Sequence, residues 1–445
     1  MNRIRARYCC QVNVVLSVAM VLSCLLIGCD SSKLTHDNVF ADQETYRMPD
    51  NEVYSWVNDI SFTSFGLDEQ LAAINFDILD EEGTASLYTS VVAGQDGSFY
   101  VIGELITNEE NMTTAVLARY DSALQRVAIV RRHSYSFQCL GVDAGGDVFV
   151  VGMAKEYIHS NEDEWFEPYI QSGSQSEIIR FSPTLDELDK KLLEGYLDHM
   201  VIGTDGHVYL VGSSSIVKLD HELVWQKTVA ISSNPPVAVN HIAIDSEGAI
   251  YVAAVRYSIS DTSHEAILCK YDSDLVKQEE VRINKAESNI VGGLAVAPNR
   301  SVYITLCTNI QTNASWSIIR YDSSLIEIDS IDSAAIDLLP SIPGKDPWSV
   351  TGSFGSLTID LNGFIYVAAH NMGVSIVLLS SELIPLNVVY LPRIDSGVLT
   401  QISPRFFHIA VALDGSVSVV GAITRLQFKP PFSFTLSNPA AIIVK

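Results

Sequence analysis

Three histidines of this chain fall in one column of a repeated pattern. The column lies seven residues before a recurring glycine and reads Ser90, Cys139, His199, His241, Gly293, Ser356 and His408. The whole chain holds 10 histidines, so three in one seven-membered column exceed an even scatter. Imidazole nitrogen suits zinc, copper, iron and nickel. If His199, His241 and His408 converge, they are expected to hold a divalent metal. The competing expectation is that each ring simply bonds a neighbouring backbone carbonyl. No other cofactor is expected. The chain has no G-x-S-x-G, Walker loop, H-E-x-x-H or C-x-x-C, so no standard hydrolase, nucleotide or zinc signature is present.

The elements that must position these residues recur seven times. The clearest copy runs from Asn240 to Ala254, "NHIAIDSEGAIYVAA". An apolar run meets a tight turn at the glycine column, and a second apolar run follows. The column is Gly97, Gly146, Gly206, Gly248, Arg300, Gly363 and Gly415, spaced by about 53 residues on average. Asp-Gly and Asn-Gly turns between alternating apolar runs are the strongest short hairpin signal. An aromatic stands three residues past the column at Tyr100, Phe149, Tyr209, Tyr251, Tyr303 and Tyr366, with Ser418 the exception. A third run ends in a basic residue and a turn, as in "ARYDSAL", "CKYDSDL" and "IRYDSSL". The sixth copy, "LLSSEL", lacks the basic residue. An amphipathic fourth run, such as Val276 to Ile283, completes each unit. Four antiparallel strands repeated radially predict an all-β fold, a seven-bladed β-propeller. The last copy stops after its third run at Lys445, and an unpaired apolar run, Gln70 to Leu79, precedes the first copy. That N-terminal strand is expected to complete the last blade and protect its open edge. Asp143, Asp245 and Asp360 share one column and are expected to cap hairpins.

The pattern "IAIDSEGAIYVA" followed by "KYDSDL" resembles the bacterial seven-bladed β-propeller (SBBP) repeats and, more loosely, NHL-type repeats. The resemblance covers 70–445 and implies a fold, since propellers host unrelated activities. A second resemblance lies at the N-terminus. Arg3, Arg5 and Arg7 precede an apolar run, Val12 to Ile27, that ends in "LIGC". This resembles a bacterial lipobox, which implies a lipoprotein signal peptide over 1–28 and acylation of Cys29. The run is short for a comfortable membrane span. The expected address is the bacterial cell envelope, with the membrane reached through the lipid only. Asp30 after the cysteine resembles an inner-membrane retention signal. Residues 29–69 are expected to be the lipidated cysteine and a polar tether.

Loop lengths are one-sided. Long connections fall between the second and third strands of a repeat, at Lys155 to Glu177, Cys307 to Ser317 and Arg425 to Pro439, and between repeats at Ile336 to Phe354. In a propeller these emerge on one face. They carry Trp165, Phe166, Tyr169, Trp316, Trp348, Phe428, Phe432 and Phe434, which are expected to contact a partner. The competing expectation is that these aromatics fold down over strand ends.

Composition narrows the function classes. The 445 residues are 47% hydrophobic and 18% charged, which describes a folded chain. A net charge of −25 without a Lys/Arg run argues against nucleic-acid binding. Three cysteines, Cys139, Cys269 and Cys307, follow Cys29, an odd number within apolar runs, so buried free thiols are expected. The expected function is a monomeric binding or scaffold module for an envelope protein or glycan. The alternative is a hydrolase, lactonase or lyase using the channel mouth.

Overall fold

The computed structural model describes residues 63–66, 76–79 and 84–444, except for 108–112, 158–169, 173–174, 213, 232–236, 258–263, 284–288, 309–314, 333–352, 371–372, 393, 396–399, 414, 416, 430–432 and 437–439. All of these described residues belong to one of the chain's two compact units, Ser61–Lys445.

It is an all-β propeller of four-stranded antiparallel blades, and six blades are built from consecutive strands. Blade 1 comprises Thr84–Ala93, Phe99–Thr107, Thr113–Tyr120 and Arg126–His133. Blade 2 comprises Tyr135–Val142, Val148–Tyr157, Gln175–Phe181 and Glu187–Glu194. Blade 3 comprises His199–Ile202, Val208–Gly212, Ser215–Leu219 and Trp225–Ala230. Blade 4 comprises Val237–Ile244, Ile250–Tyr257, His264–Tyr271 and Lys277–Ile283. Blade 5 comprises Asn289–Val296, Val302–Thr308, Ser315–Tyr321 and Glu327–Asp332. Blade 6 comprises Ser353–Ile359, Ile365–His370, Gly373–Leu379 and Pro385–Pro392.

A further sheet joins the two ends of the described chain. Thr400–Val411 pairs with Val417–Lys429, which pairs with Ala440–Val444. Phe76–Leu79 then pairs antiparallel with Ala440–Val444, in the register Phe76 to Val444 and Leu79 to Ala441. The edge-completing strand is thus shorter than the run from Gln70. Sheet structure also starts earlier than the sequence suggests. Thr63–Gly66 lies in the stretch assigned to the tether, yet it pairs with Pro385–Pro392 as a fifth strand of blade 6. Edge strands present open backbone groups that recruit any nearby extended segment, and four residues are too short to stand out as a periodic run.

The hairpin chemistry follows the sequence. Asp245 Oδ1 accepts from the Glu247 and Ala249 amides at 2.9 Å each, while Gly248 takes φ 84°. Asp143 and Asp360 cap their turns in the same way. Only glycine adopts that left-handed conformation without steric cost. Arg300 accepts it in blade 5 at φ 68°, and its guanidinium binds Asp245 Oδ2 of blade 4 at 3.0 Å. The turn between the third and fourth strands holds a surprise. Its leucine, at Leu124, Leu185, Leu223, Leu275, Leu325 and Leu383, also has positive φ, from 57° to 67°. A non-glycine residue there costs about 1–2 kcal/mol. Each of these side chains is buried, and burying a leucine returns about 1.5–3 kcal/mol.

The core is a set of slabs between neighbouring blades. Tyr209, Val211 and Ile216 of blade 3 pack with Ile250, Val252 and Ile267 of blade 4. Blade 1 packs against Ala410, Ala412 and Val420 of the two-ended sheet. Cys139, Cys269 and Cys307 are buried free thiols, and desolvation raises each thiol's pKa above its ordinary value.

The aromatic and basic residues of the repeat tie blades together. Tyr209 Oη and Lys218 Nζ both donate to the Ser273 carbonyl of the next blade, at 3.2 and 2.7 Å. Tyr100 donates to Pro183 O, Arg180 to His221 O, Lys270 to Ser323 O and Tyr303 to Ser381 O in the same sense. Each acceptor lies in the next blade's leucine turn. Arg180, Lys218 and Lys270 of the basic column therefore act as latches, whereas Arg119 and Arg320 bond Asp96 and Ser301 of their own blades.

Candidate functional site

The histidine column owes its placement to backbone irregularity. In six sheets the pairing of the innermost strand slips one residue before the column. The slips fall between Tyr88 and Ser90, Phe137 and Cys139, Val239 and His241, Val291 and Gly293, Phe354 and Ser356, and Phe406 and His408. Blade 3 does the same. Asp198 donates its amide to Val211 O at 3.1 Å although His199 is already the register partner of Val211. A β-bulge inserts one residue, bends its strand and re-aims the side chains beside it. Here the inserted residues are Thr89, Gln138, Asp198, Asn240, Gly292, Gly355 and Phe407.

Glycine opposite the bulge makes room in three blades. A Cβ at Gly212 would lie 2.1 Å from Tyr196 O, and one at Gly103 would lie 2.2 Å from Leu87 O. At Gly152 it would meet the Tyr135 ring at 2.4 Å and Ser136 O at 2.6 Å. The antiparallel registers place the bulged end beside the end of each second strand. The long connections leave from that end.

The bulges bring two of the histidines into contact. The rings of His199 and His241 lie 5.0 Å apart, tilted by 47°. His408 is near enough to act electrostatically on both. Its Nδ1 accepts from the Val91 amide at 3.5 Å, a long bond. The competing expectation of carbonyl partners finds this amide instead. Among the described residues, the donor atoms of the three histidines do not all lie within 4.8 Å of one another. A closed three-histidine shell is therefore not present in this arrangement.

Asp198 is the residue that sequence reasoning missed. It stands one place before the column, and its only signal was the column itself. Its Oδ1 lies 4.0 Å from His199 Nε2 and makes no hydrogen bond. Asn240 Oδ1, the inserted residue of the neighbouring blade, is also buried without a partner. Gln138, by contrast, is satisfied by Ser136 and Tyr196.

The side chains of Asp198 and His199 remain 27% and 33% exposed. That exposure is to a channel with protein on its walls, so their charged forms are poorly solvated. Desolvation pushes the Asp198 carboxyl up to about 7. Desolvation and then the charge of His408 push His199 down to about 4, and desolvation does the same to His408. His241 falls well below the usual imidazole value, through desolvation and then its two histidine neighbours. At neutral pH the three rings are uncharged, and Asp198 stands between its two protonation states.

A different group has the closest metal-like geometry among the described residues: Asp143, Asp147 and His221, with donor atoms within 4.8 Å. It is already saturated. Asp143 Oδ2 binds His221 Nε2 at 2.8 Å, and Arg180 Nε and Nη2 hold Asp147 Oδ2 at 2.8 and 2.7 Å. A cation would have to displace the guanidinium, so this cluster is a blade-to-blade tie.

The aromatic face is only partly described. Trp316 corrects the expectation. It is 1% exposed and packs with Tyr303, Ile318, Leu357 and Val367 between blades 5 and 6. Its strand starts at Ser315, so the tryptophan falls inside the sheet and not in the loop. Phe428 also lies in a strand, paired in backbone register with Phe434. Trp165, Phe166, Tyr169, Trp348 and Phe432 lie outside the described residues, as do Cys29 and Asp30.

No family model and no curated protein matches this chain. Among solved structures it is similar to the Neurospora crassa Pan2 WD40 domain, at TM-score 0.47 and 10% identity, over 81% of this chain and 89% of that one. It is similar to the Dos1 propeller at TM-score 0.46 and 8% identity, over 86% and 94%. The β-propeller domain of the Trilobed protease from Pyrococcus furiosus gives 0.46 and 11%, over 77% and 93%. The β-propeller assignment itself rests on the order of the sheets.

Proposed function

We propose that this protein is a binding module that takes its partner at the bulged end of the propeller channel. One observation carries the reading. Every innermost strand bulges at that end, and two buried acceptors there, Asp198 Oδ1 and Asn240 Oδ1, have no hydrogen-bond partner among the described residues. Buried polar atoms are normally satisfied, so these two are open to a ligand. The connections of unequal length leave from the same end, which fits partner selection by loops on a rigid scaffold.

The module is a seven-bladed ring, in which the two-ended sheet is the seventh blade and Phe76–Leu79 its closing strand. Pairing at Phe76–Leu79 and packing of Ala410 and Val420 on blade 1 support this count. The protein is a monomeric lipoprotein of the bacterial envelope, held by acylated Cys29 and facing a protein or glycan. Its support is the "LIGC" sequence after an apolar run. Mass spectrometry of the mature N-terminus should find a diacylated cysteine, absent in Cys29→Ser.

The binding reading is tested by capture from envelope extract. Wild type, a variant trimmed between Lys155 and Glu177, and the double variant Asn240→Ala with His241→Ala are compared. Loss of the same partner in both variants supports the reading. Identical captured sets in all three overturn it. A second reading is catalytic. A carboxyl poised near neutrality in a recess suits general acid–base work on an ester, lactone or glycoside. Turnover of such a substrate, lost in Asp198→Asn, would replace the binding reading.

A further inference from the structure

We propose that His199, His241 and Asp198 form a site for a divalent transition metal at the bulged end of the channel. The inference rests on the reading of that end as the ligand face and names the chemistry there. The ligand set is two imidazoles and one carboxylate, which differs from the three histidines that the column suggests.

The spacing of the rings fits. A metal bound by imidazole nitrogen at about 2.0–2.1 Å holds two ring centres about 4.5–5.5 Å apart at ordinary coordination angles. The His199 and His241 rings stand at 5.0 Å. Asp198 supplies the negative charge. Its unbonded Oδ1 is 4.0 Å from His199 Nε2, within about 1 Å of the separation expected for two ligands of one metal. The chemistry of the recess also points to a cation. The two unsatisfied buried atoms, on Asp198 and Asn240, are both acceptors, and neutral imidazoles add lone pairs. An anion or an apolar ligand would leave all of these unanswered.

His408 is set apart from this shell. Its Nδ1 takes the Val91 amide, and it acts on the other two rings through its charge. Two histidines and one carboxylate with open positions suit iron, zinc, nickel or cobalt. In the present arrangement no three of these donors lie within 4.8 Å of one another. Closure needs the Asp198 carboxyl and the two rings to draw closer together.

The test is titration of the full-length protein, freed of metal by chelation, with cobalt(II) and zinc. The expected result is one equivalent per chain at micromolar or tighter affinity, with the visible absorption of nitrogen- and oxygen-bound cobalt. His199→Gln or His241→Gln should weaken binding at least about 100-fold, and Asp198→Asn about 10- to 100-fold. His221→Gln should change nothing. Zinc should also protect His199 and His241 of the unmutated protein from diethyl pyrocarbonate, read by mass spectrometry, which needs no variant to fold. Absence of binding at 100 μM metal overturns the site, as does binding that depends on His221 or protection that misses these rings. Absence of metal binding with partner capture intact would sink the metal alone and leave the binding face standing.

Discussion

The latch between blades 3 and 4 makes a quantitative prediction, because two donors share one acceptor. Tyr209 Oη and Lys218 Nζ both point at Ser273 O, at 3.2 and 2.7 Å, and the ammonium also lies 5.5 Å from the Tyr209 ring centre. Tyr209→Phe removes one neutral hydrogen bond and leaves the lysine in place, a loss of about 1 kcal/mol. Lys218→Met keeps most of the stem and removes a charge-assisted bond and a cation–π contact, together about 2–4 kcal/mol. Relief from burying an ammonium offsets about half of that, because Lys218 is only 9% exposed. About 1–2 kcal/mol should remain. The double variant strips Ser273 O of both donors, and an orphaned carbonyl costs about 1–3 kcal/mol more. The double variant should therefore lose about 2 kcal/mol beyond the two single losses combined. Urea unfolding followed by tyrosine fluorescence reads all four proteins. Additivity within about 0.5 kcal/mol would refute the shared-acceptor argument and show that water replaces either donor freely.

Further predictions follow from the same structure. Gly212→Ala drives a methyl against Tyr196 O and Leu197 Cα, both backbone, so it should cost about 3 kcal/mol in urea unfolding and disturb Asp198 and His199. Among the described residues, removal through Gly66 takes away the fifth strand of blade 6 and should lower the melting temperature by a few degrees. Removal through Leu79 also opens the edge of Ala440–Val444 and should aggregate the domain by light scattering. The Glu280 carboxyl is held below its usual range first by the Lys277 hydrogen bond, with Arg256 assisting. A depressed folded value means stabilisation above the ordinary carboxylate range that is lost as pH falls through it. Glu280→Gln should therefore cost about 1 kcal/mol or less at pH 7, and progressively less as the pH falls below the ordinary carboxylate range.

The hairpins, the blades and the capping aspartates were legible because each has a local signature. Asp245 caps the turn ahead of Gly248 for reasons contained in those four residues. The left-handed leucines were not legible. Leu275 is a poor choice for φ 57° by local preference, and only the slab it enters makes the conformation worthwhile. The latch column carried a signal, the pairing of Tyr209 with Lys218 across a repeat, but its acceptor sits in the following repeat. Trp316 was misplaced because a strand's first residues cannot be told from a loop's last by composition. The column of histidines was readable, whereas the bulge that orients it was not. A bulge is one extra residue in a run, and its clearest trace is the glycine opposite, at Gly103, Gly152 and Gly212. Asp198 escaped for that reason.

The claim that the bulged end of the channel is the binding face is tested most directly by site-specific photocrosslinking in the native envelope. A photoreactive amino acid is placed at Asn240, beside His241, and separately at Leu413, which is 58% exposed in the last hairpin turn, at the other end of its strand from His408. The account predicts that illumination gives one discrete adduct from position 240 and none from position 413. An adduct from position 413 alone would contradict it and move the binding face to the hairpin end.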